Sequence, residues 1–267
     1  MSFKNYTPEF EYERLFQDTG WPWSGHKFFA YDFVRNFKPK TIVELGTHKG
    51  TSLWSFSQAV KDGQLETKIF AVDTWQGEEH AGFYGEEVFD EVKKIKETFY
   101  LDLKINLLRK TFDEAVSEFK DNSIDLLHID GLHTYEAVKH DFETWLPKVK
   151  SEGVVMFHDI FVSKGDFGVY KLWEELKKKY ASIEFHHSFG LGVLFLDAKN
   201  FQGLIKNEKE LRRKYSFLSE ERKNTKLNID LDSFYYKDRE ITSLNQTIKE
   251  KEREIGEKER EIGEKER

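Results

Sequence analysis

The chain has 267 residues, with 42 Lys+Arg against 49 Asp+Glu, a formal net charge of −7, no Cys, and aromatic residues at 15%. The lack of Cys excludes disulfides, thiolate metal sites and a cysteine nucleophile, and the acidic balance argues against nucleic acid as a partner. No stretch approaches the ~20 consecutive apolar residues of a membrane span, and the opening MSFKNYTPEF lacks the layout of a secretion signal, so a cytoplasmic protein is expected.

The charge is unevenly spread. Residues 1–205 carry 25 basic and 33 acidic groups with every Trp and Pro, whereas 206–267 pack 17 basic and 16 acidic groups into 62 positions. The reading is an aromatic-rich domain over 1–205, a helical linker over 206–240, and a heptad-repeat segment over 241–267.

In chain order, an aromatic segment (Trp21, Trp23) precedes a helix over 26–37, stopped by Pro39. Short apolar runs follow at 41–46, 68–74, 105–108, 124–131, 154–160, 183–186 and 192–197. Between them lie helical patterns at 52–61, 86–101, 113–119, 135–149 and 169–180; in the last, Val169, Leu172, Trp173 and Leu176 share one face. Near-continuous apolar strands alternating with amphipathic helices predict a parallel sheet covered on both faces. The link between the last two runs is too short for a parallel crossover, so that pair is predicted antiparallel. The fold class is thus α/β: a doubly wound, Rossmann-like seven-stranded sheet with one reversed strand, whose ligands collect at the carboxyl ends of the strands.

From Ile241 the apolar positions Leu244, Ile248, Ile255 and Ile262 recur, and REIGEKE occurs twice in succession. A seven-residue period predicts the start of a coiled coil that could pair chains, with a solvated single helix or frayed linker as the alternative. Because the chain stops inside the repeat, a longer natural protein is expected.

Four strand ends carry chemistry. Glu44-Leu45-Gly46-Thr47-His48-Lys49-Gly50-Thr51-Ser52 runs from a strand into a helix. Gly46 permits the tight turn and Gly50 a close approach at the helix start, where backbone N–H groups and Ser52 can receive a carboxylate. Asp73 ends the next strand, where a carboxylate can accept ribose hydroxyls. Asp130 and the His158–Asp159 pair end adjacent strands, and two carboxylates with one imidazole suit Mg²⁺ or Mn²⁺. His133, three residues beyond Asp130, is placed to act as a general base. The alternative is that these acids cap helices and the histidines pack in the core, as His128 is expected to do.

This order of motifs, E-x-G-x-x-x-G, an acid after strand two, I-D-G-x-H-x-Y-E and F-H-D, resembles the class I S-adenosylmethionine-dependent methyltransferases over roughly residues 20–200. Within them it is most similar to the metal-dependent sugar O-methyltransferases of the macrocin type. The resemblance implies that Glu44, Gly46, Thr47 and Ser52 hold the methionine end, Asp73 the ribose, and Thr111 and Phe112 the adenine. It also implies that Asp130, His158 and Asp159 hold the cation, with Asp130 and His133 catalytic; the family commonly carries Asp-Asp or Asp-Asn where this chain has His158-Asp159. The loop 73–87 resembles methyltransferase domains found beside or fused to glycosyltransferases, which implies a glycan acceptor and such a partner, with Trp75 and Tyr84 suited to a sugar ring. The alternatives are a phenolic or other small-molecule acceptor, or a non-catalytic docking module with a coiled-coil tail; a nicotinamide dehydrogenase conflicts with the missing G-x-G-x-x-G.

Overall fold

In the computed structural model, which describes residues 3–15 and 22–220, the apolar runs form the strands of one central sheet. The chain runs α1 (Lys27–Phe37), β1 (Thr41–Leu45), α2 (Thr51–Gly63) and β2 (Lys68–Asp73), then a small hairpin of β3 (Gly77–Glu78) and β4 (Gly82–Phe83). It continues through α3 (Glu86–Phe99), β5 (Lys104–Arg109), α4 (Phe112–Ala115), β6 (Ile124–Ile129), α5 (Tyr135–Trp145), β7 (Val149–His158) and α6 (Val169–Leu176). Strands β8 (Ala181–Phe185) and β9 (Leu191–Phe195) and a short α7 (Gln202–Lys206) follow. The sheet order is β5-β2-β1-β6-β7-β9-β8, with β9 antiparallel to both neighbours and every other pairing parallel. This is the predicted doubly wound sheet with one reversed strand.

Strand periodicity builds two cores from one set of strands. Ile42, Ile69, Leu126 and Met156 face α1, α2 and α3, while their neighbours Val43, Leu127, Val155 and Phe157 face α5 and α6. Each such side chain withdrawn from water contributes roughly 1.5–3 kcal/mol. On α6 the four residues of the predicted apolar face are all buried. Helix α5 ends earlier than its periodicity suggests: Leu146–Lys148 is a 3₁₀ turn containing Pro147, whose missing N–H cannot continue the α-helical ladder. Residues 208–219, read from sequence as the first part of a linker, are helical and pack on the sheet-bearing unit, which extends to Ser219. Tyr215 is buried there and donates to Asp32 Oδ2 at 2.6 Å. The heptad segment 241–267 lies outside the described residues. Among the described residues no helix is long and apolar enough to cross a membrane.

One packing group on α5 is titratable. Asp141 is 7% exposed, and burial pushes its carboxyl from the ordinary 3.8 up to about 7. A folded-state value above the unfolded one favours folding at low pH, and that contribution is lost as pH rises from about 4 to 7. Asp141→Asn should therefore match the parent near pH 4 and exceed it at pH 8 by about 4 kcal/mol. Urea unfolding of both proteins at the two pH values checks this, and an equal gap at both would count against it.

Candidate active site

At the sheet's switch point β1 separates β2 from β6, and the loops leaving these strands open a cleft. The β1–α2 turn is made by Gly46 at φ 88° and Gly50 at φ 84°, both left-handed. A Cβ on Gly46 would lie 2.0 Å from the Asp130 carbonyl oxygen, so the first turn is pressed against the end of β6. Behind it Glu44 is fully buried; its Oε2 accepts from Thr47 Oγ1 and its Oε1 faces His128 Nδ1, both at 3.0 Å. The Trp23 indole N–H can only donate, and it reaches His128 Nε2 at 3.0 Å. Nε2 therefore accepts, and Nδ1 carries the hydrogen given to Glu44. His128 is a satisfied core residue, as expected.

Asp73, at the end of β2, is clamped by backbone. Its Oδ2 accepts from Thr47 N and His48 N, each at 2.8 Å, and its Oδ1 from Trp75 N at 2.6 Å. Three of the roughly four lone-pair positions of the carboxylate are thus engaged in shaping the turn. Trp75 has φ 53°, which turns its ring into the core, where it is fully buried, 4.7 Å from the Phe89 ring, with its N–H on the His48 carbonyl at 3.0 Å. The expectation that Trp75 faces a sugar is corrected by this turn. Tyr84 does line the cleft, its ring 4.9 Å from His48.

The cleft is a cavity of about 540 Å³ lined by Gly46, Thr47, Gly50, Ser52, Asp73, Thr111, Phe112, Asp130, His133, His158 and Asp159. Of the predicted cofactor, metal and catalytic residues only Glu44 is missing from its wall, since it is buried behind the turn with one oxygen on Thr47 and the other facing His128. Thr111 is also the N-cap of α4, closing a capping box with Glu114.

On the wall of the same cavity, Asp130, His133 and Asp159 bring ligand atoms within 4.8 Å of one another. His133 Nε2 lies 2.8 Å from Asp159 Oδ2 and 3.6 Å from Asp130 Oδ1. His158 Nδ1 lies 3.3 Å from each of the same two oxygens, and its Nε2 donates to the Ser188 carbonyl at 3.1 Å. Burial opposes charge on both imidazoles, but the two carboxylates outweigh it, raising His133 to about 9 and His158 to about 10. Reciprocally, burial alone would raise Asp130 and Asp159, and the histidines hold both below the ordinary carboxylate value. Asp159 sits at φ 60° and keeps its buried Oδ1 without a partner. Converging carboxylates, imidazoles and an uncommitted buried oxygen fit a divalent cation.

Residues 43–160 match the family described as a methyltransferase domain. The uncharacterized protein y4gI of Sinorhizobium fredii is 47% identical over 182 residues, which is 68% of this chain and 20% of that one. The uncharacterized protein R132 of Acanthamoeba polyphaga mimivirus is 29% identical over 122 residues, 45% of this chain and 51% of that one. The chain thus spans about a fifth and about half of these curated relatives. Among solved structures, a methyltransferase from Geobacter sulfurreducens aligns over 69% of this chain and 86% of its own with a TM-score of 0.51 at 13% identity. The fold is a methyltransferase fold.

On this methyltransferase fold several cavity residues have no counterpart in the motif reading. Trp23 comes from the N-terminal segment and lines the cleft as well as holding His128. His80, on the β3–β4 hairpin, stacks on Phe167 at 4.4 Å, and Phe167 stacks on His133 at 4.9 Å, so two loops close over the imidazole. His80 Nε2 is also 2.8 Å from Asp166 Oδ1. Phe189, 54% exposed, stands on the cavity wall at φ 67°. The loop 73–87 hinted at the hairpin through its Gly and aromatic content; Phe167 and Phe189 carry no local sequence signal.

Proposed function

We propose that the chain is an S-adenosylmethionine-dependent O-methyltransferase that uses a divalent cation and takes a sugar hydroxyl as acceptor. The observation that carries this reading is that one cavity joins the glycine turn and Asp73 to the Asp130–His133–Asp159 cluster. The match over 43–160 and the fold support it. In this reading the N–H groups and hydroxyls of the β1–α2 turn take the methionine end, the remaining lone pair of Asp73 the ribose, and Thr111 and Phe112 the adenine. Asp130, Asp159 and His158 hold the cation, which when bound supplies Lewis acidity that lowers the pKa of the acceptor hydroxyl.

His133 takes the acceptor proton on Nε2, and for that it must be neutral. What keeps it charged is the carboxylate pair at 2.8 and 3.6 Å, so compensation of that pair frees the nitrogen. As the acceptor oxygen bonds to the methyl carbon, the carbon–sulfur bond breaks and adenosylhomocysteine leaves. The protein's share of the rate is holding the two reactants in line and dry. The His80–Phe167 stack over His133 serves the second purpose. Tyr84 and Phe189 offer flat apolar faces to the C–H side of a sugar ring, and a glycan acceptor made by a glycosyltransferase partner follows from the resemblance. Release of adenosylhomocysteine with glycan acceptors but not catechols is the expected result of an acceptor screen; turnover of catechols alone would replace the sugar by a phenol.

The cofactor reading has its own test. Asp73→Asn puts an amide N–H₂ against backbone N–H donors, a loss of about 1–3 kcal/mol if it is expressed in binding. Calorimetric titration with adenosylhomocysteine should give roughly 10–100-fold weaker affinity than the parent. A folded parent that binds no adenosylhomocysteine would end the proposal.

A further inference from the structure

We propose that His158 Nδ1 is a direct ligand beside Asp130 and Asp159, and that this centre therefore selects a first-row transition ion over Mg²⁺. The inference rests on the methyltransferase reading only for the cation's use; the donor set stands on the geometry. A backbone carbonyl can only accept, so the contact of His158 Nε2 with Ser188 O at 3.1 Å puts the ring hydrogen on Nε2. Nδ1 faces two carboxylate oxygens at 3.3 Å each, so the space between them takes either a second ring proton or a cation. The two carboxylates require a positive charge at that point, which is the Nδ1 proton until a cation displaces it and takes up the lone pair it leaves. A histidine that ligates a metal through one nitrogen and donates the other N–H to a backbone carbonyl is the usual arrangement of such sites.

The carbonyl is held for this purpose by costly backbone. Ser188 at φ 52°, Phe189 at φ 67° and Gly190 at φ 94° are three successive left-handed residues, a conformation that non-glycine residues keep only when the surroundings enforce it. His26 Nε2 donates to the same oxygen at 3.1 Å, and Phe161 N ties Phe189 O at 2.9 Å. The two 3.3 Å separations of His158 Nδ1 from the carboxylate oxygens are close to the edges of a coordination polyhedron with bonds of about 2.1 Å. The unpartnered, buried Asp159 Oδ1 leaves that carboxylate free to turn either oxygen inward.

Ion choice follows from the nitrogen. Mg²⁺ is hard, prefers oxygen and sheds water reluctantly, whereas imidazole suits Fe²⁺, Co²⁺, Ni²⁺ and Zn²⁺. Replacing one of three carboxylate-type donors by imidazole moves the site along that series.

The experiment compares the full chain with His158→Asp and His133→Asn, each first titrated with adenosylhomocysteine to establish a folded cofactor site. Calorimetric competition between Co²⁺ and Mg²⁺ should give a Co²⁺ preference of at least 100-fold in the parent, reduced at least tenfold in His158→Asp. Pulsed electron paramagnetic resonance of bound Mn²⁺ should show nitrogen coupling in the parent and in His133→Asn, and none in His158→Asp. If His158→Asp does not fold, His158→Gln takes its place with the same expected loss of nitrogen coupling. An unchanged Co²⁺/Mg²⁺ ratio, nitrogen coupling that disappears with His133 instead, or no binding of either metal overturns the inference. With adenosylhomocysteine still bound, such a failure leaves the methyltransferase reading intact; absent cofactor binding in the parent would defeat that reading separately.

Discussion

Gly46→Ala is expected to abolish measurable adenosylhomocysteine binding and to lower stability by about 3–5 kcal/mol, the range of severe overpacking combined with backbone strain. Two penalties act together. At φ 88° an alanine pays the steric cost of the left-handed region, and its Cβ would sit 2.0 Å from the oxygen and 2.6 Å from the carbon of the Asp130 carbonyl. Neither atom is the end of a flexible side chain, so the end of β6 must move. That end is fixed by Asp130 N on the Leu45 carbonyl at 2.8 Å, next to Gly46 N on the Val72 carbonyl at 2.9 Å. Displacing it breaks the ladder and drags the Asp130 carboxylate away from His158 and His133. Gly82→Ala supplies the control: its φ is 84°, yet a Cβ there meets nothing within 4 Å. It should cost only about 1 kcal/mol and leave cofactor binding unchanged. Urea unfolding and calorimetry on both variants separate strain from collision, and equal losses in the two would refute the close contact at Gly46.

The same comparison shows what was legible in the sequence. Runs such as 41–46 and 124–131 place an apolar strand and its terminal polar residue in one line, so the ends of β1, β2, β6 and β7, with Asp73, Asp130 and His158, were readable from local pattern. The short link before Leu191 likewise forced the antiparallel pairing of β8 and β9. What local pattern cannot carry is which side of a turn a residue faces. Trp75 stands two residues from Asp73, but its positive φ sends the ring inward, and only the packing with Phe89 and His48 makes that conformation hold. Glu44 is similar: the motif placed it at the cofactor end, whereas its oxygens are consumed by Thr47 and His128. Trp23 and Ser188 reach the site from 105 and 30 residues away from the histidines they bond, with no periodicity to announce it. Long-range hydrogen bonds of this kind are decided by tertiary packing, and short-range propensity is blind to them.

The second large effect is expected at His128, which touches no predicted ligand. Glu44 and His128 are both fully buried, and the carboxylate's two partners are His128 Nδ1–H and the Thr47 hydroxyl. His128→Leu keeps apolar bulk against Trp23 and Phe56 but leaves the carboxylate with one donor, and stranding a buried carboxylate costs about 3–5 kcal/mol. The Trp23 N–H loses its acceptor as well, adding to the cost. Glu44→Gln is the milder lesion, since the amide oxygen can still accept from His128 and the amide N–H₂ can donate to Thr47 Oγ1; about 1 kcal/mol is expected. Combining His128→Leu with Glu44→Leu removes donor and acceptor together, so the double variant should be less damaged than His128→Leu alone. A double-mutant cycle on urea unfolding should return a coupling of about 2 kcal/mol or more. The functional consequence runs through Thr47: its hydroxyl is held by Glu44, while its N–H holds Asp73 at 2.8 Å. Any variant that frees Thr47 should therefore weaken adenosylhomocysteine binding even where the protein remains folded, with Glu44→Gln the least affected. Additive stability losses, or full cofactor affinity in folded His128→Leu, would show that the buried chain from Trp23 to Thr47 supports the core alone and has no part in shaping the cofactor turn.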